Sequence, residues 1–268
     1  MQPEIDIGPL TLQTFGISFA VAFLFAGGLV ARRLKEIGEP PDWSYELIFC
    51  ALIGGLVGAR VDFLIQNWSD VSDDLAGSIF SGSGLVWLGG GIGGALGVVL
   101  WAWWRGFLGL QLLDLCAPGL ALGYAIGRIG CQVSGDGDYG KSSDLPWAMS
   151  YPDGTVPTDD KVHPTPVYET LAMGFAALWL WHVRDRFKTG VLFAMYLVIA
   201  GLERILIEFI RRNDDVALGL TLPQLLSAVM VVVGVVWLVR VHRHGGLARE
   251  TPVAVTDAKQ REPATESV

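Results

Sequence analysis

Charged residues are scarce in this sequence. Only 17% of its 268 residues are Asp, Glu, Lys or Arg, whereas 51% are hydrophobic. Soluble globular domains carry about 25% charged residues, so this balance excludes an ordinary soluble domain. The net charge of −8 comes mainly from acidic loops and the C-terminal end. Because no basic stripe accompanies it, we expect no nucleic-acid partner.

Cysteines are also few, and the residues before the first apolar run include no Lys or Arg. Cys50, Cys116 and Cys131 lie in apolar stretches, and their spacing matches neither a disulfide framework nor a zinc motif. We therefore predict no disulfide and no metal site. Glu4 and Asp6 precede the first apolar run, where a signal peptide would carry Lys or Arg. We expect this first run to be a retained span.

Apolar runs fill most of the chain. A helix needs about 20 mostly apolar residues to cross the ~30 Å hydrocarbon core of a bilayer. The sequence predicts an all-α integral membrane protein of about seven transmembrane helices, over 12–31, 45–66, 84–104, 112–132, 164–182, 190–210 and 222–240. Residues 1–245 then form one polytopic membrane domain with a long loop at 134–162. Residues 246–268 are rich in Thr, Ala, Glu and Pro, and are predicted to be a disordered tail.

Lys and Arg residues mark one side of this predicted bundle. They follow the first, third, fifth and seventh spans, at Arg32, Arg33, Lys35, Arg105, Arg184, Arg186, Lys188, Arg240 and Arg243. Because basic flanks remain in the cytoplasm, we predict an outside N-terminus and a cytoplasmic C-terminus. The loop 134–162 then faces the periplasm if the chain lies in a bacterial inner (plasma) membrane.

Three arginines lie inside the apolar runs. Arg60, Arg128 and Arg204 each come late in a span that runs outward, so all three are expected in the outer half of the membrane. An arginine at the bilayer centre costs about 2.5–3.5 kcal/mol on insertion scales, and such side chains face the bundle interior. The set is interpreted as a structural ion-pair network or, preferably, as a pocket for an anionic lipid head group. Three glutamates at similar depth can supply negative charge: Glu169, Glu203 and Glu208.

Groups that can transfer protons follow at the outer boundary. Asp136 and Asp138 come after Arg128 in the segment GYAIGRIGCQVSGDGDYG, and each is interpreted as a general base or as part of a solvated turn. His163 lies in VHPTPVYE at the start of the fifth span, as a proton-transfer candidate or as an interfacial polar residue. Beside it, Glu169 is interpreted as an arginine partner.

These segments together resemble the prolipoprotein diacylglyceryl transferase family. The match rests on GRIG followed by GDGDYG, SSDLPW and HPTPVYE, in the family's order and spacing across 114–169. Asp114, GARVDF around Arg60, and GLERILIEFIR through Arg204, Glu208 and Arg211 extend it, so that the resemblance covers 8–240. Each fragment is weak by itself, whereas the joint pattern is highly specific.

The resemblance implies a reaction and roles for residues. Such an enzyme transfers the diacylglyceryl group of phosphatidylglycerol to the cysteine thiol of a prolipoprotein signal peptide, releases glycerol phosphate and needs no cofactor. Arg128 and Arg204 would hold the phosphate, and Arg60 and Glu208 would act as a gate or as ion-pair support. The implied catalytic set is Arg128, Arg204, Asp136, Asp138 and His163. The implied substrate-binding set is Arg60, Gly89, Gly90, Gly130, Tyr139, Gly140, Tyr168, Glu169 and Glu208.

The sequence departs from the family pattern at several positions. The family usually has His, sometimes Tyr, before the Gly-Gly of the third span, where this chain has Leu88. Cys131 replaces an Asn, Phe15 replaces a Tyr, and Ala200 stands where a Tyr is common. Because that His has been proposed as a base, we hypothesise that Asp136 or Asp138 takes its role. A non-catalytic lipid-binding homologue is the main alternative, and a small-solute transporter is a weaker one, since no inverted repeat is evident.

Overall fold

The protein is built almost entirely from helices. The computed structural model describes residues 1–8, 10–71, 86–213, 216 and 219–249. Within these ranges lie seven long helices and a short one, α3 (Trp68–Val71). The long helices are α1 (Thr14–Glu36), α2 (Trp43–Gln66), α4 (Trp87–Arg105), α5 (Leu110–Ser134), α6 (Thr165–Val183), α7 (Val191–Glu208) and α8 (Leu222–Arg243).

The surface of these helices is that of a membrane protein. Leu24, Phe25, Trp103 and Leu178 are between 60% and 74% exposed, which in water would be an unfavourable apolar surface. Among the described residues, α1, α2, α5 and α8 are each long and apolar enough to cross a membrane alone. The predicted all-α, multi-pass class is therefore confirmed, whereas the count of seven spans stays a prediction.

The strands are confined to two small hairpins. β1 (Glu4–Ile7) pairs antiparallel with β2 (Leu10–Gln13) directly before α1. β3 (Met149–Tyr151) pairs with β4 (Thr158–Val162) in the connection between α5 and α6. This second hairpin occupies the predicted loop 134–162, which is therefore shaped by backbone pairing.

Helices α2 and α4 pack through glycines. Gly54 and Gly58 on α2 face Gly89, Gly93 and Gly97 on α4. A Cβ on Gly93 would overlap the carbonyl oxygen of Gly54 and would lie 2.8 Å from the Cα of Gly58. Small residues at this spacing allow two backbones in lipid to approach closely, and dispersion contacts then hold them.

Gly93→Ala is expected to destabilise the protein because the methyl group has no space between α2 and α4. Overpacking of this kind costs about 1–3 kcal/mol. The measurement is the Tm of the purified protein in detergent. Gly91→Ala is the matched control, since a Cβ there meets nothing within 4 Å. Equal Tm values for the two variants would contradict the packing described.

Two apolar clusters join the remaining helices. The first joins α1, α2, α4 and the start of α5 through Val30, Leu34, Leu47, Trp101, Ala102, Leu112 and Leu115. The second joins α5, α6 and α7 through Ala117, Ala121, Ala125, Met173, Ala176, Ala177, Leu180, Val183 and Leu192. Small alanines on α5 let α6 approach closely, so polar side chains near the far ends of these helices can meet.

A half-buried carboxylate fixes the start of α7. Asp114 accepts hydrogen bonds from the backbone N–H groups of Gly190 at 2.6 Å and Phe193 at 2.9 Å. The first N–H groups of a helix have no partner within the helix, so an acceptor there stabilises it. Asp114 thereby sets the position of α7 against α5, on which the candidate site depends.

The C-terminal end of the described chain returns to the bundle. Leu247 and Arg249 pair through their backbones with Lys188 and Arg186, respectively, in the connection between α6 and α7. The predicted disordered tail therefore begins within a paired segment, and its residues 250–268 lie outside the described residues.

Candidate active site

Three arginines from three chain segments converge on one buried glutamate. Glu169, in the first turns of α6, is 0% exposed. Its carboxylate lies 3.3 Å from Nε of Arg128 on α5 and 3.0 Å from a guanidinium nitrogen of Arg204 on α7. Arg211, just after α7, approaches it to 3.6 Å, and the Tyr124 hydroxyl donates to it at 2.7 Å. A carboxylate in this position keeps like charges together.

Asp138 forms the second centre of the cluster. One of its carboxylate oxygens pairs with Arg128 and the other with Arg211. Burial alone would raise the pKa of Asp138, but the two guanidiniums outweigh it and hold the pKa below its ordinary value. Asp136 accepts a hydrogen bond from the Asp138 backbone N–H at 3.2 Å. The structure thus distinguishes the two aspartates: Asp138 orients arginines and Asp136 orients Asp138.

Glu208 completes the cluster on the side of α8. Its carboxylate lies 3.1 Å from Arg204, one helical turn before it, and accepts hydrogen bonds from Asn213 and from Thr221 at 2.9 Å. Thr221 also caps α8 in a reciprocal pair with Gln224. The start of α8 is therefore fixed to the arginine cluster.

The loop between α5 and α6 forms a wall beside these charges. The rings of Tyr139 and Tyr151 stack at 4.9 Å, and the Tyr139 hydroxyl donates to the carbonyl of Val156 at 3.0 Å. A Cβ on Gly140 would lie 2.6 Å from the carbonyl oxygen of Ile210. Similarly, a Cβ on Gly130 would lie 2.7 Å from the Cβ of Ser18 on α1. Both glycines are required for close packing.

His163 and Tyr168 stand together at the start of α6. The Nδ1 atom of His163 lies 3.5 Å from the Tyr168 hydroxyl, which accepts a hydrogen bond from the Trp147 indole at 2.7 Å. The His163 carbonyl accepts a hydrogen bond from the Gly140 backbone N–H, which connects this group to the loop between α5 and α6. Among the described residues, the ion pairs of the arginine cluster do not include His163.

The remaining predicted residues lie on the α2–α4 pair. Arg60 is buried, and its guanidinium lies 5.2 Å from the Phe63 ring. The backbone N–H of Gly89 donates to Asp62 at 2.9 Å, and Gly90 packs on Ala59. Leu88, where the family usually has His, is 38% exposed. The structure thus divides the predicted site between the arginine cluster and the α2–α4 pair.

The sequence analysis includes Arg211 only in the family-like segment GLERILIEFIR and does not predict it as a site residue. The available signal was the spacing of Arg204, Glu208 and Arg211, which are four and three residues apart and therefore share one face. Asp62, which fixes Gly89, was missed too, because an acidic residue late in a span gives no sign of its partner.

One group of potential metal ligands adjoins the cluster. Cys131, Asp136 and Asp138 place ligand atoms within 4.8 Å of one another. Both oxygens of Asp138 are paired with arginines, so a cation there would have to displace a guanidinium. The arrangement suits recognition of an anion better than binding of a metal ion.

Comparisons with known proteins show the family of this chain. The family model described as prolipoprotein diacylglyceryl transferase matches residues 3–240. Among curated proteins, a phosphatidylglycerol–prolipoprotein diacylglyceryl transferase of Leptospira interrogans is 32% identical, covering 76% of this chain and 73% of its own length. Proteins of the same name from Clostridium tetani and Pseudomonas fluorescens are 30% and 33% identical, each covering 88% of this chain and 96% and 94% of their own lengths. The chain belongs to the prolipoprotein diacylglyceryl transferase family.

Proposed function

We propose that this chain is an enzyme that transfers the diacylglyceryl group of phosphatidylglycerol to the cysteine thiol of prolipoproteins and releases glycerol phosphate. The observation that carries the proposal is the convergence of Arg128, Arg204 and Arg211 on buried carboxylates, in a chain of this family. Its partners are the lipid bilayer, phosphatidylglycerol and the signal peptides of prolipoproteins.

The arginines can hold the phosphate of the lipid. Arg211 has a buried guanidinium N–H that makes no hydrogen bond within the described residues, although it lies 3.6 Å from a carboxylate oxygen of Glu169. That contact has the distance of an ion pair without the geometry of a hydrogen bond. A phosphate oxygen would supply the missing acceptor, and guanidinium groups bind phosphate in two-point fashion.

The same groups would stabilise the departing phosphate. The reaction makes a carbon–sulfur bond and breaks the bond between a glyceryl carbon and a phosphate oxygen, which increases the negative charge on phosphate. Guanidiniums of Arg128 and Arg204 that are already oriented by Glu169 and Asp138 need not reorganise as this charge develops. The helices must also hold sulfur and carbon in line, which is an orientation effect.

The loop and the α2–α4 pair would bind the rest of the substrates. Tyr139, Gly140, Tyr168 and His163 border the cluster on the loop side, where the aqueous head group and the peptide arrive. Gly130 lets α1 approach the cluster. Arg60, Gly89 and Gly90 lie on the α2–α4 pair, and we assign them to contacts with the lipid.

We also propose the topology expected from sequence: seven spans, an outside N-terminus and a cytoplasmic C-terminus, in the bacterial inner membrane. Residues 1–245 form the membrane domain in this proposal, and 246–268 form its cytoplasmic tail. Arg33 at the end of α1 and Arg184 after α6 share Glu36 and Asp185 as partners, which supports one common basic face. Arg128, Glu169 and Arg204 lie toward the opposite ends of their helices, so the active site faces the periplasm.

An in vitro transfer reaction tests the proposed function. Purified protein receives phosphatidylglycerol, labelled in its head-group glycerol, and a synthetic peptide with the lipoprotein cysteine. We expect a peptide that has gained the mass of a diacylglyceryl group, together with one labelled glycerol phosphate per peptide. If bound phosphatidylglycerol yields no product while a known transferase is active in parallel, the chain is a lipid-binding homologue without catalysis. Leu88, Phe15 and Cys131 are the substitutions that motivate this alternative.

A further inference from the structure

The proposed reaction needs a group that accepts the thiol proton, because the thiolate is the nucleophile. This inference therefore rests on the proposed function. The histidine that many family members carry in α4 is Leu88 here, so the acceptor must be found elsewhere. Asp138 is poorly suited because both of its oxygens pair with guanidiniums, and a carboxylate stabilised in this way is a weak base.

Glu203, unlike Asp138, has a carboxylate that is not paired with a guanidinium within the described residues. It precedes Arg204 on α7 and is half-buried, and its Oε1 atom is fully buried. Within the described residues that atom accepts no hydrogen bond, and the carboxylate lies in no ion pair. Most buried polar atoms in folded proteins have a partner, so an unpartnered carboxylate beside a functional cluster requires an explanation.

The position of Glu203 on α7 directs it toward the site. Tyr196, two helical turns earlier on the same face, packs on the apolar cluster that joins α5, α6 and α7. The ionisable groups that interact electrostatically with Glu203 come from each of these elements: Tyr124 and Arg128 on α5, Glu169 on α6, Tyr196 and Arg204 on α7, and Arg211 after it. Glu203 is therefore a member of the arginine cluster without being one of its ion pairs.

The charges of the cluster explain why Glu203 has no partner of its own among the described residues. Arg128, Arg204 and Arg211 are matched by the carboxylates of Glu169, Asp138 and Glu208. Glu203 is a fourth carboxylate for three guanidiniums. The lone pairs of a carboxylate that lacks both a cation and a donor are available to accept a proton, whereas those of its paired neighbours are occupied.

We infer that Glu203 is the proton acceptor of this enzyme, in place of the histidine absent from position 88. The proton of the cysteine S–H group passes to the Glu203 carboxylate, and the sulfur forms its bond with the glyceryl carbon. The bond between that carbon and the phosphate oxygen breaks, and its electron pair stays on the phosphate held by the arginines. The proton leaves Glu203 for water after the products depart.

The test compares Glu203→Gln with the wild-type protein on two peptides. One peptide carries cysteine and the other carries selenocysteine, whose selenol is anionic at neutral pH and needs no base. Loss of a general base slows catalysis by about 10²–10⁴-fold, so we expect a decrease of this size in kcat/KM for the cysteine peptide. With the selenocysteine peptide most of this decrease should disappear. The wild-type rate should rise with pH as Glu203 loses its proton. This rise should be flattened in Glu203→Gln.

Controls separate a chemical role from a structural one. Glu39→Gln changes a half-buried glutamate in the turn between α1 and α2 that has no ion pair within the described residues, and it should leave both rates unchanged. Glu203→Asp keeps a carboxylate and should retain more activity than Glu203→Gln. Binding of phosphatidylglycerol and the Tm should be unaffected in Glu203→Gln, since no ion pair is lost.

Three outcomes would overturn the inference. They are unchanged transfer to the cysteine peptide by Glu203→Gln, equal losses on both peptides, and rescue by selenocysteine in Asp136→Asn but not in Glu203→Gln. The last would assign the role to Asp136. Failure of the proposed function is a distinct result, because the wild-type protein would then transfer to neither peptide.

Discussion

Arg128→Ala is expected to lower the rate of diacylglyceryl transfer by about 10²–10³-fold, the usual effect of removing one preorganised charge-stabilising donor. Arg128 contacts both Glu169 and Asp138, so it links the two centres of the cluster. Arg128→Lys should recover only part of the rate, because a lysine ammonium keeps the charge but cannot bind phosphate at two points. The measurement is the initial rate of peptide lipidation with phosphatidylglycerol in excess.

Arg212→Ala is the matched control for this loss. Arg212 follows Arg211 in the chain, but its guanidinium lies 5.1 Å from the Tyr139 ring and takes part in none of the ion pairs of the arginine cluster within the described residues. We expect this variant to retain nearly all of the activity. If Arg128→Ala transferred as fast as Arg212→Ala, the phosphate would not be held where we place it.

Glu169→Gln is expected to destabilise the protein more than any other single change in the cluster. Glu169 is fully buried and contacts Arg128, Arg204 and Arg211. The amide can still accept a hydrogen bond from Tyr124, but only two of the carboxylates that pair with the three guanidiniums remain, Asp138 and Glu208. Removing one partner of a buried ion pair costs about 3–5 kcal/mol because the remaining charge is uncompensated. The measurement is the Tm in detergent, followed by tryptophan fluorescence.

The comparison with Glu39→Gln isolates this effect from the general consequence of losing a carboxylate. Glu39→Gln should leave the Tm where it is, whereas Glu169→Gln should lower it by several degrees. An anionic phospholipid should restore part of the Tm of Glu169→Gln, because phosphate can replace the missing negative charge. Identical Tm values for the two variants would mean that Glu169 does not hold the arginines together.

The sequence predicts the helices well because their signal is local. A run of apolar residues long enough to cross a bilayer is visible without knowledge of the partner helix, and each of the seven predicted segments overlaps a long helix. The small hairpins were not predicted, since four-residue strands such as Glu4–Ile7 carry no periodicity of their own. The close approach of α2 and α4 depends on which glycines face each other, and a single sequence does not fix that register.

The candidate site could be predicted only in part, because some of its signals are local in the sequence and others depend on contacts between helices. The depth of Arg128 and Arg204 in their spans, together with the neighbouring motifs, indicated an anionic ligand. Which carboxylate serves which arginine depends on three helices meeting, so Asp136 and Asp138 could not be distinguished before the structure. Glu203 was interpreted as one more arginine partner, because neighbours on a helix do not reveal that the arginines are already matched by other residues.

The opposite end of the bundle offers a contrast to this cluster. A cavity of about 320 Å³ is lined there by Arg33, Glu36, Asp114, Arg184 and Arg249, among others. Arg33 and Arg184 are each paired with Glu36 and Asp185, which lie near the helix ends. Both regions contain arginine and carboxylate, so the location of a bound phosphate shows which of the two regions is the phosphate site.

A structure of the protein with bound phosphatidylglycerol tests the central claim most directly. We predict a lipid phosphate within hydrogen-bonding distance of the guanidiniums of Arg128 and Arg204, with the N–H group of Arg211 that lacks an acceptor directed at a phosphate oxygen. The glyceryl carbon bonded to that phosphate should then be accessible to a thiol on the side of Glu203. A phosphate bound instead by Arg33 and Arg184 in the cavity at the opposite end of the bundle, with the arginine cluster unchanged, would contradict the account.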